Sequence, residues 1–316
     1  MTTTWFVLAR AVHFSACLLL FGIFAFDRFV AVAAVAKSAA AARAWEGYVR
    51  WFSLLTVPVI LASGAAWFAL VAITMSGQAL STDLARLVWT QTQFGTVCHW
   101  RLLFWLLAAI GAGGLAFCRP GTARRKICLW LELFFAGLLL GSLAWAGHGQ
   151  EGPGAGWHLL ADVTHLLAAG LWPTGLLPFA LLLLKLRRAP EATRVLALTA
   201  LVRRFSALSL GTVALLAATG FVNGWFLVGS WANLFEQPYG RWLLVKISLF
   251  LGAVALGAVN LLRLKPRLLV EKSSAPGAEA AAARLQFNVW LELALATLII
   301  VVVAILGLLP PAIGLG

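Results

Sequence analysis

Charge is what this 316-residue chain has least of: Asp, Glu, Lys and Arg make up 11% of it, where a soluble globular chain carries roughly 25%. That shortage excludes a water-soluble enzyme and a disordered tail. Methionine is nearly absent, with only Met1 and Met75, so no thioether ladder for Cu(I) can be built and histidine is left as the principal ligand type. The four cysteines, Cys17, Cys98, Cys118 and Cys128, lie far apart and form no C-x-x-C pair. A zinc ribbon, a dithiol redox motif and a disulfide-stapled secreted domain are therefore not readable. No G-x-x-x-x-G-K-[ST] phosphate loop and no H-E-x-x-H motif occur, so neither ATP hydrolysis by the chain itself nor metalloprotease chemistry is expected. The chain reads as a non-enzyme.

What is present is apolar: hydrophobic residues make up 62%. Runs of about 20 apolar residues mark spanning helices. Eight occur, near Trp5–Val35, Tyr48–Thr74, Phe94–Phe117, Ile127–Gly147, Trp157–Leu184, Phe205–Val228, Arg241–Leu262 and Asn288–Leu309. The first is not expected to be a cleaved signal, because Arg10 lies inside it, no basic region precedes it, and it exceeds a 7–15-residue signal core. The loops after odd-numbered spans hold 18 cations against four acids, while those after even-numbered spans hold Arg86 and Arg241 against Asp83, Glu151 and Glu236. By the positive-inside rule the odd loops are cytoplasmic and both termini lie outside, in the periplasm. The net charge of +13 is thus a topology signal. Its expected partner is the anionic lipid headgroup, and nucleic acid is not needed.

The sequence also repeats itself. Trp130-Leu131-Glu132-Leu133 returns as Trp290-Leu291-Glu292-Leu293. Phe94-Gly95 with Arg101 returns as Tyr239-Gly240 with Lys246, and Arg50-Trp51-Phe52-Ser53 as Arg204-Phe205-Ser206. His13 with Gly22 matches His165 with Gly175. The expected architecture is an all-α integral membrane protein of two tandem four-helix units, residues 1–150 and 151–316. Parallel repeats of this kind are related by an axis along the membrane normal.

Eight non-histidine ionisable residues remain inside the spans: Arg10, Asp27, Arg28, Arg101, Glu132, Asp162, Lys246 and Glu292. Each costs about 2.5–3.5 kcal/mol at mid-membrane on the insertion scale. Four of each sign point to mutual pairing, and Arg101 and Lys246 read as holding the fold together. All five histidines map to the outer half. His13 and His165 each lie eight residues into a span, roughly 12 Å deep. His99 lies five residues past Phe94, and His148 and His158 sit where spans leave and start. His158, Asp162 and His165 are spaced four and three apart and share a helix face, as do His13 and Cys17. Imidazole suits copper, zinc, nickel and haem iron, and a carboxylate one turn away can ligate or orient it. The candidate metal-holding residues are therefore His13, His148, His158, Asp162 and His165, then His99 and Cys17. The equal depths of His13 and His165 lead us to expect a metal shared across the interface of the two units.

Several of these residues resemble the CopD family of bacterial copper-handling membrane proteins. They are Ala146-Gly147-His148, Trp157-His158 through Asp162, and His165 through Gly170-Leu171-Trp172. Arg204-Phe205-Ser206, Thr219-Gly220 with Asn223, Pro238-Tyr239-Gly240-Arg241 with Lys246, and Pro310-Pro311 belong to the same set. The resemblance is tightest over the last five spans. It implies an inner-membrane protein that takes copper ions from the periplasm, beside a CopC-like periplasmic copper-binding protein, and delivers them inward. Where a Trp-x-Gly-Gly-like turn is expected, this chain has Trp172-Pro173-Thr174-Gly175, which predicts a kink. The alternatives are a b-type haem electron-transfer protein, since four-helix units with buried histidines also suit haem b, and a copper-binding sensor or assembly factor that does not transport.

Overall fold

A computed structural model describes residues 2–36, 38–118, 122–147, 154–270 and 276–314, and every regular element among them is helical. Among the described residues, eight helices are long and apolar enough to cross a membrane. In chain order they are α1 (Thr3–Val35), α2 (Ala39–Ser76), α3 (Gln93–Leu115), α4 (Ala123–Ala146), α5 (Ala155–Arg187), α6 (Arg194–Val228), α7 (Pro238–Leu268) and α8 (Gly277–Leu306).

Several helices outrun their apolar segments. The helix Ala39–Ser76 has 38 residues, about 57 Å at 1.5 Å per residue, against a hydrocarbon core near 30 Å. The extra turns are rich in Ala, Arg and Glu, strong helix formers that an apolar-run criterion cannot see. The same holds for Glu191–Val228 and for the start of α8. These extensions meet at the basic end of the bundle, where Arg125 lies 3.8 Å from Glu46 and Arg194 4.0 Å from Glu279.

α1 and α5 are the most buried spans, with 72% and 56% of their apolar windows inside the protein. They cross where Gly22 meets Gly170: a Cβ on Gly22 would sit 2.8 Å from the Gly170 carbonyl oxygen and 3.0 Å from Thr174 Cβ. Only glycine permits that approach. Nearby, α5 breaks at the Pro173 segment into Ala155–Leu171 and Leu176–Arg187. Proline has no amide to donate, and Thr174 N reaches back to Ala169 O at 3.4 Å across the break. Two single π-helical turns interrupt other spans, at Asp27–Ala31 in α1 and Asn260–Leu264 in α7.

Matching details recur in the first and last four spans. α2 ends on Gly77 and α6 on Gly229, both left-handed (φ 67° and 74°). Ser81 and Ser230 then cap the short helices Thr82–Gln91 and Trp231–Glu236. After these, Gly95 and Gly240 let α3 and α7 start hard against the backbone of the preceding short helix, at Val88–Trp89 and Asn233–Leu234.

Candidate metal site

On α5, His158, Asp162 and His165 face Phe226, Asn223 and Thr219 of α6, rung by rung in antiparallel register. His158 stacks on Phe226 with centroids 5.0 Å apart and planes 6° from parallel. Asn223 Nδ2 donates to Asp162 Oδ1 at 3.2 Å, and Asn223 Oδ1 is buried without a partner among the described residues. His165 Nδ1 lies 2.9 Å from Thr219 Oγ1. That hydroxyl donates its own proton to Leu215 O at 2.7 Å, so it must accept, and Nδ1 carries the hydrogen. His165 Nε2 keeps its lone pair and has no hydrogen-bond partner among the described residues. Gly220 makes room for the ring: its Cβ would lie 3.4 Å from His165 Cε1. Lys246 and Tyr239 of α7 lie within electrostatic reach of Asp162.

α1 and α2 build the same frame with a different outcome. His13 Nδ1 lies 3.1 Å from Ile60 O and 3.0 Å from Ser63 Oγ, and Ser63 Oγ donates to Val59 O at 2.6 Å. Gly64 stands to His13 as Gly220 stands to His165. Here, however, Arg101 Nη2 approaches His13 Nε2 to 2.6 Å. A guanidinium can only donate, so Nε2 accepts and its lone pair is used. Arg101 also reaches Cys17 Sγ at 3.7 Å, Leu139 O at 2.9 Å and Ser142 Oγ at 2.7 Å. Where α5 and α6 pair Asp162 with Asn223, α1 and α2 place the Arg10 guanidinium 5.2 Å from the Trp67 ring.

The shared site expected from the repeat is therefore not assembled: each imidazole is held by its own neighbouring helices. The reason is angular. At about 100° per residue, His13 lies about 180° around α1 from Gly22, and His165 about 140° around α5 from Gly170. The glycines face the partner span, so the histidines face away from it. The glycine positions were the signal in the sequence that could have shown this. His99 is exposed and meets Trp89 edge-on at 4.2 Å, away from both sets. His148 lies outside the described residues. Among the described residues no three His, Cys, Asp or Glu side chains gather into one cluster.

Mutual pairing of the eight in-span charges does not occur either, as none forms a direct ion pair among the described residues. Asp27 accepts from the Trp45 indole at 2.7 Å, and Arg28 lies 4.8 Å from the Trp130 ring centroid. Arg10 donates to Gly307 O at 3.3 Å. Glu292 accepts from Asn260 Nδ2 at 2.5 Å, and Asn260 Oδ1 accepts from Asn288 at 2.8 Å. Glu292 and Asn260 line a cavity of about 150 Å³ with Ser206, Ser209 and Trp172. Glu132, its repeat counterpart, is fully buried with both oxygens unpartnered among the described residues. Neutral partners, not opposite charges, satisfy most of these groups among the described residues.

These features define an eight-span helical membrane protein with polar rungs at one end. The chain matches the family described as "Copper resistance protein D" over residues 199–306, and "Copper resistance protein D-like, N-terminal domain" over residues 1–159. It is 32% identical to a "Copper resistance protein D" of Pseudomonas syringae pv. tomato, over 72% of each chain. It is 38% identical to the "Copper transport protein CutJ" of Bacillus subtilis (strain 168), over 41% of this chain and 23% of that protein. Among solved structures, a bd oxidase from Geobacillus thermodenitrificans shares the fold at TM-score 0.56 and 11% identity, covering 96% of this chain and 86% of that one. The protein belongs to the copper resistance protein D family and is a multi-pass inner-membrane protein with a copper-related role.

Proposed function

We propose that the protein is a transporter, not an enzyme, that moves copper ions inward across the membrane and captures them on the α5–α6 face. The observation that carries this reading is the contrast between two matched imidazoles: His13 Nε2 is taken by Arg101, while His165 Nε2 has no partner among the described residues. His165 Nε2, the Asp162 carboxylate and Asn223 Oδ1 offer nitrogen and oxygen donors suited to copper, with His158 nearer the mouth. Asp162 offsets the nearby Lys246 charge, so an arriving cation is not repelled. His13 and Cys17 serve the packing of the first four helices. The name of the Bacillus relative, a copper transport protein, supports transport over mere binding. The positive-inside pattern puts the His165 end outside, where a CopC-like periplasmic protein would hand over the ion. Protons compete for imidazole and carboxylate, so uptake weakens in acid.

The test is cellular copper content at matched protein level. Wild type should raise it above the empty vector, and His165→Ala should bring it back to the vector level. Leu160→Ala, on the exposed side of the same helix, should behave as wild type. Equal accumulation in His165→Ala and wild type would overturn the capture role, and a fall in copper on expression would reverse the direction.

A further inference from the structure

Two cysteines far from the histidine end come together. Cys118 follows the last turn of α3 and is buried; Cys128 lies in the second turn of α4 and is half-buried. Their sulfurs are 3.8 Å apart. Arg124 and Glu132 both act electrostatically on Cys128. Glu132 is one turn further along α4, fully buried, with both carboxylate oxygens unpartnered among the described residues. The pair lies at the basic end of the bundle, with Arg124 and Arg125 in the first turn of α4.

We propose that Cys118 and Cys128 form a two-thiolate site for Cu(I) on the cytoplasmic side. This rests on the copper-handling reading above. Soft thiolates select Cu(I), and a two-coordinate ion needs no third ligand, in keeping with the lack of a three-residue cluster among the described residues. A structural zinc would need four ligands. A lasting disulfide is disfavoured because the basic end faces the reducing cytosol. With metal–sulfur bonds of about 2.3 Å, as for zinc thiolates, an in-line ion separates the sulfurs by about 4.6 Å, so the thiols need to part by only about 0.8 Å. As one Cu(I) binds, the two thiols release two protons and no electron changes hands. The resulting bis-thiolate complex carries a single negative charge. Arg124 and the positive end of the α4 helix dipole compensate it.

The test uses the full chain, purified in detergent under reductant and titrated anaerobically with Cu(I) against a bathocuproine-type chelator. Wild type should retain one Cu(I) equivalent, with thiolate-to-copper absorption in the ultraviolet and a sulfur-only first shell by X-ray absorption. Cys118→Ser and Cys128→Ser should each lose that equivalent, and Cys128→Ala should repeat the loss without a hydroxyl. Cys17→Ser, Cys98→Ser and His165→Ala should keep it. Sulfur-ligated copper that survives Cys118→Ser and Cys128→Ser would overturn the assignment, as would a thiol count showing the two cysteines bonded to each other under reductant. If His165→Ala leaves cellular copper unchanged while this titration behaves as expected, the transport reading falls and the thiolate site stands.

Discussion

His13→Leu separates a structural histidine from a ligand. Leucine keeps much of the ring's volume and removes both nitrogens. Arg101 Nη2 then loses the acceptor it holds at 2.6 Å, and in soluble proteins a hydrogen bond to a charged group is worth about 1.5–3 kcal/mol. Ser63 Oγ loses only a donor, since its own proton still goes to Val59 O; that bond is worth about 0.5–1 kcal/mol. Interhelical polar contacts in membrane proteins run lower, averaging about 0.6 and reaching about 1.7 kcal/mol. A loss of about 2 kcal/mol is therefore expected, which lowers the melting temperature by about 4–8 °C at about 2–4 °C per kcal/mol. Thermal unfolding in detergent, followed by the monomer peak in size-exclusion chromatography, reads this directly. Copper accumulation per folded molecule should match wild type. An unchanged melting temperature together with copper accumulation at the vector level would refute the argument and restore His13 as a ligand.

Two further outcomes are expected. Reporter fusions after Arg124, Arg194 or Lys272 should read as cytoplasmic and fusions near Glu151 or at the C-terminus as external; a cytoplasmic C-terminus would contradict the charge count. Gly257→Ala should raise stability by up to about 1 kcal/mol through helix propensity, because its Cβ meets Glu292 Oε2 at an ordinary 3.7 Å. The matched Gly111→Ala collides with the Glu132 carboxylate and should lose about 1–3 kcal/mol by overpacking, a loss that Glu132→Ala relieves.

The spans were legible because lipid demands long apolar runs, and the kink was legible because proline lacks an amide. Helix ends were not: stretches such as Ala39–Arg43 and Ala280–Arg284 look like loops to a hydropathy criterion, yet their residues favour helix. The candidate site was half legible. Depth along a helix follows from residue count, and His13 with Ser63 and His165 with Thr219 form matching contacts in the two halves. Azimuth depends on which face meets which neighbour, and that was set by Gly22 and Gly170. Thr219 and Asn223 were visible in the family resemblance without a role, and Ser63 and Ser142 carried no signal. The Cys118–Cys128 contact joins residues ten apart in sequence, a separation at which no sequence motif exists.

The repeated halves act as each other's control, and the differences between them are electrostatic as well as geometric. Around His13 stand two cations, Arg101 and Arg10, and the matched position of Asp162 is occupied by Arg10 itself. Around His165 stands one cation, Lys246, which is itself within electrostatic reach of Asp162, the acid one turn from His165 on the same helix. Like charges repel an arriving cation and opposite charges attract it. A cation near His13 thus meets two such repulsions, while one near His165 meets one repulsion offset by one attraction. The balance of charge disfavours a cation at His13 more than at His165. The guanidinium that takes the His13 Nε2 lone pair also adds, together with Arg10, positive charge beside that ring. On the reading proposed above, the His165 site keeps the imidazole and a facing glycine, Gly220, with no guanidinium on Nε2 among the described residues.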